Sequence, residues 1–138
     1  MRRPPRKVEF FAPVKLDHAS HNRLEPFKRK DGSVGIRKSD SLKEAEARIE
    51  AHVAYHAPAA PLEGPLVAEL RMCWPTEGAH DQGEPKATDP DMDNVEKVLW
   101  DVLQRLGFYG NDAQIFAKSV SKMWSDPAGV YVRIEELR

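Results

Sequence analysis

The stretch that most limits what this chain can fold into is residues 89–114, DPDMDNVEKVLWDVLQRLGFYGNDAQ. It opens with aspartates at every second position: Asp89, Asp91 and Asp93. Val95, Val98, Leu99, Val102, Leu103 and Leu106 then recur at helical spacing, with Asp93 placed as the N-cap and Gly107 as the stop. On such a helix Asp93, Lys97 and Asp101 share one face, turned away from the apolar stripe. Asp91 is extended just ahead of it, so its side chain can point the same way as that of Asp93. Acids this dense repel one another, and a fold that gathers them calls for a cation. Magnesium suits the set: it takes hard oxygen ligands, one or two of them carboxylates, and leaves the rest of its shell to water and phosphate. Manganese accepts the same donors. Lys97 would stand beside that ion as a fixed positive charge. A helix–loop–helix calcium loop is excluded, because counting from Asp89 its glycine position holds Asn94 and its closing glutamate position holds Trp100. Taken singly, each residue also has a plain structural reading: Asp93 as a cap, Lys97–Asp101 as a surface ion pair, Asp89-Pro90 as a turn.

The 138 residues, 41% of them hydrophobic, suit one domain spanning 1–138. No apolar run reaches the roughly 18 residues of a membrane span. No apolar signal core follows the basic start MRRPPRKVEFF, so the expected setting is cytoplasmic. Cys73 is the only cysteine, which excludes an internal disulfide and a thiolate metal site. The net charge of −1 hides an asymmetry. Residues 1–38 hold 11 Lys and Arg against 4 Asp and Glu, a net +7; the remainder holds 10 against 18, a net −8. A basic arm joined to an acidic site suits an enzyme that grips a polyanion and holds a metal. The alternative for residues 1–7 is a flexible, solvated tail.

In chain order, residues 8–14 read as a strand, and His18 and His21 as loop histidines. Residues 27–36 read as a hairpin turning at Asp31-Gly32. That hairpin would display Lys28, Arg29 and Lys30, with Arg37 and Lys38 close behind, as a phosphate-contact surface or as a lysine-protected edge. Ser41 and Glu44 form a capping box ahead of a helix carrying Leu42, Ala45, Ile49 and Val53. His52 and His56 fall four apart on it without an HExxH pattern, which favours a structural role. After the linker at 57–65, residues 65–74 alternate as a half-buried strand. The Gly/Pro-rich segment 75–88 reads as a mobile loop that delivers the chain to the aspartates. Residues 114–123 and 129–134 read as two further strands joined by SDPAG. The expected fold class is α/β or α+β, with a small mixed sheet packed against two main helices.

Pro90-Asp91-Met92-Asp93-Asn94-x-x-Lys97, then Asp101, Leu103 and Gly107, then Asp112-Ala113-Gln114-Ile115 and the late Lys122, resembles the signature of the RusA-type crossover junction endodeoxyribonucleases. These are the Holliday junction resolvases of bacteria and their phages. The resemblance is dense over about 35 residues and looser toward the C-terminal strand; the N-terminal half matches only in its layout of strand, basic hairpin and helix. It implies a homodimeric, magnesium-dependent nuclease of recombination and repair that nicks two opposed strands of a four-way DNA junction. By position, Asp91, Asp93 and Asp112 would be the metal-binding catalytic acids and Lys97 the essential lysine. Asp101, Asn94 and Asn111 would support them, and Lys122 would join the DNA-binding residues. The chain departs from the family pattern at three places. Asn111 replaces the first of two acids, Lys86 is the only basic residue in the flank EPKATD, and the overall charge is near neutral. These departures leave open a branched-DNA-binding protein of weak or absent catalytic activity, and a nuclease for other branched DNA.

Overall fold

A computed structural model of the chain describes residues 3–20 and 24–137. His21, one of the two loop histidines, and Arg2 of the basic start lie outside them. The order is β1 (Lys7–Ala12), β2 (Leu24–Lys28), β3 (Val34–Lys38), α1 (Asp40–Val53), β4 (Leu66–Trp74), β5 (Glu84–Pro85), α2 (Met92–Arg105), β6 (Ile115–Trp124) and β7 (Gly129–Glu136). Five strands form a mixed sheet in the order β1-β7-β4-β6-β5, in which only β4 and β6 run parallel. β2 and β3 form a separate antiparallel ribbon. The expected α+β architecture is therefore present.

One face of the sheet is apolar because its strands alternate. Leu66, Ala68, Leu70, Met72 and Trp74 of β4 share a core with Val130, Val132 and Ile134 of β7 and Phe10 and Ala12 of β1. Both helices supply the other half of that core, α1 through Leu42, Ala45, Ile49 and Val53, and α2 through Val95, Val98, Leu99, Trp100, Val102 and Leu103. The opposite face is polar. There Arg71 and Arg133 pair with Glu69, and Tyr131 donates to Glu9. At Gly129 a Cβ would lie 2.2 Å from the carbonyl oxygen of Ala12, so only glycine lets β7 start this close to β1.

Both helix starts differ from the sequence expectation. The N-cap of α1 is Ser39, whose Oγ accepts from Leu42 N at 3.2 Å, so the helix begins before Ser41. The N-cap of α2 is Asp91, and Asp93 lies inside the first turn. Asp91 caps through its backbone carbonyl, which accepts from Val95 N at 3.3 Å, while its carboxylate makes no capping bond. At the other end Gly107 has φ 85°, and Gly107 N and Phe108 N donate to the carbonyls of Gln104 and Leu103. This paired closure is available to a left-handed residue after the C-cap.

The basic start is anchored. Glu136, whose side chain is 4% exposed, accepts from Arg3, Arg6 and the backbone of Arg6 and Glu63. The Arg3 guanidinium, followed by these further donors, holds the Glu136 carboxyl well below the usual range. The segment 75–88 is tied down too, since Gln82 bonds Ser125 and Asp126, Thr76 bonds Asp126, and β5 pairs with the end of β6. Composition alone does not register these cross-loop bonds. His56 stacks on Phe10 with ring centroids 4.2 Å apart, and His52 Nδ1 lies 2.9 Å from the Arg48 carbonyl oxygen.

Candidate active site

Helix α2 and the turn before β6 converge on one surface pocket of about 410 Å³. Asp93, Asn94, Glu96, Lys97 and Trp100 enter it from α2, and Asp112 and Lys118 from the far side. The spacing accounts for the α2 contribution, because residues three, four and seven positions past Asp93 lie on the same face of a helix. Asp93, Lys97, Asp112 and Lys118 are all exposed. Among the described residues, the side chains of Asp91, Asp93, Lys97 and Asp112 have no hydrogen-bond or ion-pair partner.

The turn that presents Asp112 is rigidly built. Asn111 caps a short 3₁₀ turn (Asp112–Gln114), its Oδ1 accepting from Ala113 N at 2.8 Å. Gln114 Oε1 accepts in return from the backbone of Gly110 and Asn111, while its amide donates to Leu62 and Gly64 carbonyls. Asp112 N itself donates to Gln104 Oε1 at 2.9 Å. The side-chain carbonyl of Asn111 is thus engaged in shaping the turn. Below it Tyr109 is buried, with its hydroxyl on the Trp100 carbonyl at 2.7 Å. Burial pushes the Tyr109 phenol far above its ordinary value, and the charges of Asp112 and Asp101 add to the effect.

Asp91 does not line this pocket, and the loop ahead of it is fixed by two lysines. Lys122 Nζ donates to the carbonyls of Thr88 and Pro90 at 2.6 and 2.7 Å. Lys86 Nζ donates to Thr88 Oγ1 at 2.8 Å and sits 3.9 Å from the centroid of the Trp124 ring. Burial, then the neighbouring Lys122, lowers the Lys86 ammonium, and Asp89 opposes them. Asp89 and Pro90 face a different pocket, beside Trp74 and Asp17. Lys97 and Asp101 form no ion pair among the described residues, so the surface-pair reading of those two is not what the fold shows.

Glu96 and Lys118 were not singled out from the sequence. Glu96 accepts from Trp100 Nε1 at 3.2 Å and from Lys118 Nζ at 3.3 Å. The helical spacing of Glu96 with Asp93 and Trp100 signalled its face; Lys118 alternates with Lys122 along β6, a weaker signal. The hairpin residues are unevenly engaged. Lys38 pairs with the buried Glu46 at 2.9 Å, Arg37 with Glu25 at 3.0 Å, and Arg29 and Arg37 both lie over Phe27. Lys28 and Lys30 have no such partner among the described residues.

The donor set fits a hard divalent cation. Asp93 and Asp112 offer unengaged carboxylates to one pocket, and an ion that keeps water and phosphate in its shell needs only one or two of these. Among the described residues no three His, Cys, Asp or Glu side chains already converge as a closed cage.

Carboxylates and ammonium groups thus surround one exposed pocket on a small α+β domain. The model of the endodeoxyribonuclease RusA family matches residues 17–135, and the chain belongs to that family. A search of the curated proteins finds no match.

Proposed function

We propose that the chain is a magnesium-dependent, structure-specific endodeoxyribonuclease that resolves four-way DNA junctions by paired symmetric nicks, acting as a homodimer in the cytoplasm. The observation that carries this reading is the shared pocket of Asp93, Lys97 and Asp112, reached from two elements of the fold. Asp93 and Asp112 would hold magnesium, or manganese in its place, and Asp91, the N-cap of α2 just outside the pocket, is the third acid that the family resemblance assigns to the ion. When bound, the ion supplies Lewis-acid polarisation of the phosphate and a more acidic water. Lys97 places a fixed charge where negative charge grows on the phosphoryl oxygens. Asn111 orients Asp112 through the capped turn, Asn94 lines the pocket beside Asp93, and Asp101 lies two turns further along α2 as a support for Lys97. Lys28, Lys30 and Arg29 on the hairpin add phosphate contacts, so junction binding falls with salt. A four-way junction has near-twofold symmetry, and two paired cuts need two sites related by the same axis.

Cleavage of an end-labelled four-way junction with and without magnesium tests this. Asp112→Asn and Asp91→Asn are expected to bind the junction as the parent does and to nick nothing. A variant that cuts at the parent rate removes that residue from the metal set. A second reading, a branched-DNA binder without cleavage, draws on Asn111, whose carbonyl already serves the turn and leaves one acid fewer. Binding without products in magnesium would favour it, and products from three-way or flap DNA alone would redirect the substrate.

A further inference from the structure

We propose that Phe116 and the slot beside it form a base-stacking subsite for the nucleotide next to the phosphate held at the acids, an inference that rests on the nuclease reading above. The pairing of β4 with β6 shifts register between Leu66 and Val67, where Leu66 faces Ile115 and Val67 faces Ala117. Phe116 is the residue skipped. An unpaired residue of this kind re-aims its side chain, and such irregularities recur next to active sites. Phe116 is 59% exposed, and its ring has no aromatic or cationic partner among the described residues. A single exposed ring is ordinary on a protein surface; what sets Phe116 apart is the slot beside it.

The place it points to is defined. A slot of about 190 Å³ is lined by Trp100, Asp112, Ile115, Phe116, Ala117 and Lys118. Trp100, Asp112 and Lys118 also line the acid pocket, so the slot and that pocket are neighbours. Lys118 stands at their junction, fixed by Glu96 and with its ammonium 6.0 Å from the centroid of the Trp100 ring. A cation at one end and an aromatic rim with an apolar wall at the other match the two halves of a nucleotide, phosphate and base. Stacking on an aromatic ring needs an open π-face and is indifferent to base identity. Bases inside an intact duplex have no such face. The ligand is therefore an unpaired or splayed base, as a strand carries at a branch point.

The test uses four-way junctions carrying one fluorescent 2-aminopurine at successive positions around the branch, bound without divalent metal. Wild type, Phe116→Trp, Phe116→Leu and Phe116→Ala are compared, each checked for fold by circular dichroism. One position is expected to change emission with wild type and Phe116→Trp and to stay unchanged with Phe116→Leu and Phe116→Ala. Junction affinity of the last two falls about tenfold. Because Leu keeps the apolar bulk without the π-face, equal behaviour of Phe116→Leu and wild type overturns the proposal. So does a bound wild-type junction with no responsive position. Conversion of a dimer to a monomer by Phe116→Ala in light scattering overturns it as well, and assigns the ring to a contact between copies. If wild type shows the emission change but never cleaves in magnesium, the nuclease reading fails and the subsite stands.

Discussion

Lys122→Met separates two roles for the late lysine, and the structure gives the size of the effect. The ammonium donates to the Thr88 and Pro90 carbonyls and so pins the loop that leads into Asp91. Met keeps the aliphatic stem and removes only the donors. A bond from a charged donor contributes about 1.5–3 kcal/mol. Thr88 is exposed, and water can take over part of the lost bonding there, so the low end applies. The net loss is about 3 kcal/mol for the pair of bonds, or roughly 9–15 °C in Tm for a domain of this size. Release of the loop displaces Asp91, and a misplacement of about 1 Å costs on the order of 100-fold in rate. The assays are urea unfolding, junction cleavage in magnesium, and junction affinity across a salt series. Stability and rate are expected to fall while the salt slope stays at its parent value, since this ammonium is committed to carbonyls. A slope smaller by about 1, with unchanged stability, would show a phosphate contact instead and refute the reasoning.

The hairpin lysines give the opposite pattern. Lys28→Ala with Lys30→Ala is expected to weaken junction binding and reduce the salt slope by roughly 2, with no change in melting temperature. Lys38→Ala, by contrast, leaves the buried Glu46 to the more distant Arg105 guanidinium, 3.7 Å away, and lowers the melting temperature. Glu136 predicts a pH dependence. Its carboxyl is held below the usual range in the folded state, so its stabilisation is fully present above about pH 4.3, the unfolded value, and is lost as pH falls toward the lower native one. Glu136→Gln should therefore lower the urea midpoint near neutral pH, and its gap to wild type should narrow in acid.

Much of the fold could be read residue by residue. The alternation in β4 and the stripe on α2 depend only on which side chains are apolar, and both elements fall where those patterns lie. The two-residue β5 could not be seen, since Glu84 and Pro85 become a strand only by meeting Met123 and Trp124. The start of α2 was misplaced because Asp91 and Asp93 are both good cap formers, and the choice fell to a backbone carbonyl. The site was half visible. Asp93 and Lys97 were placed on one face by helical spacing, Asp112 joined them through the family resemblance, and the three share a pocket, whereas the Glu96–Lys118 bond joins residues 22 positions apart and depends on how α2 lies against β6. Lys122 is the clearest case of a residue type that suggests one role and a geometry that supplies another.

The sheet order bears on how the molecule assembles. β7, the last strand of the chain, lies between β1, the first, and β4. Until it arrives, β1 has no neighbour and one edge of β4 stays open. A growing polypeptide cannot close this sheet early, because its final insertion joins segments more than a hundred residues apart, from Lys7 against Glu135 to Ala12 against Val130. Pairings that distant are slow to form and leave apolar strands unprotected meanwhile. Loss of β7 would therefore open a gap between β1 and β4, leaving β1 as an orphan and Glu136 unavailable to anchor Arg3 and Arg6.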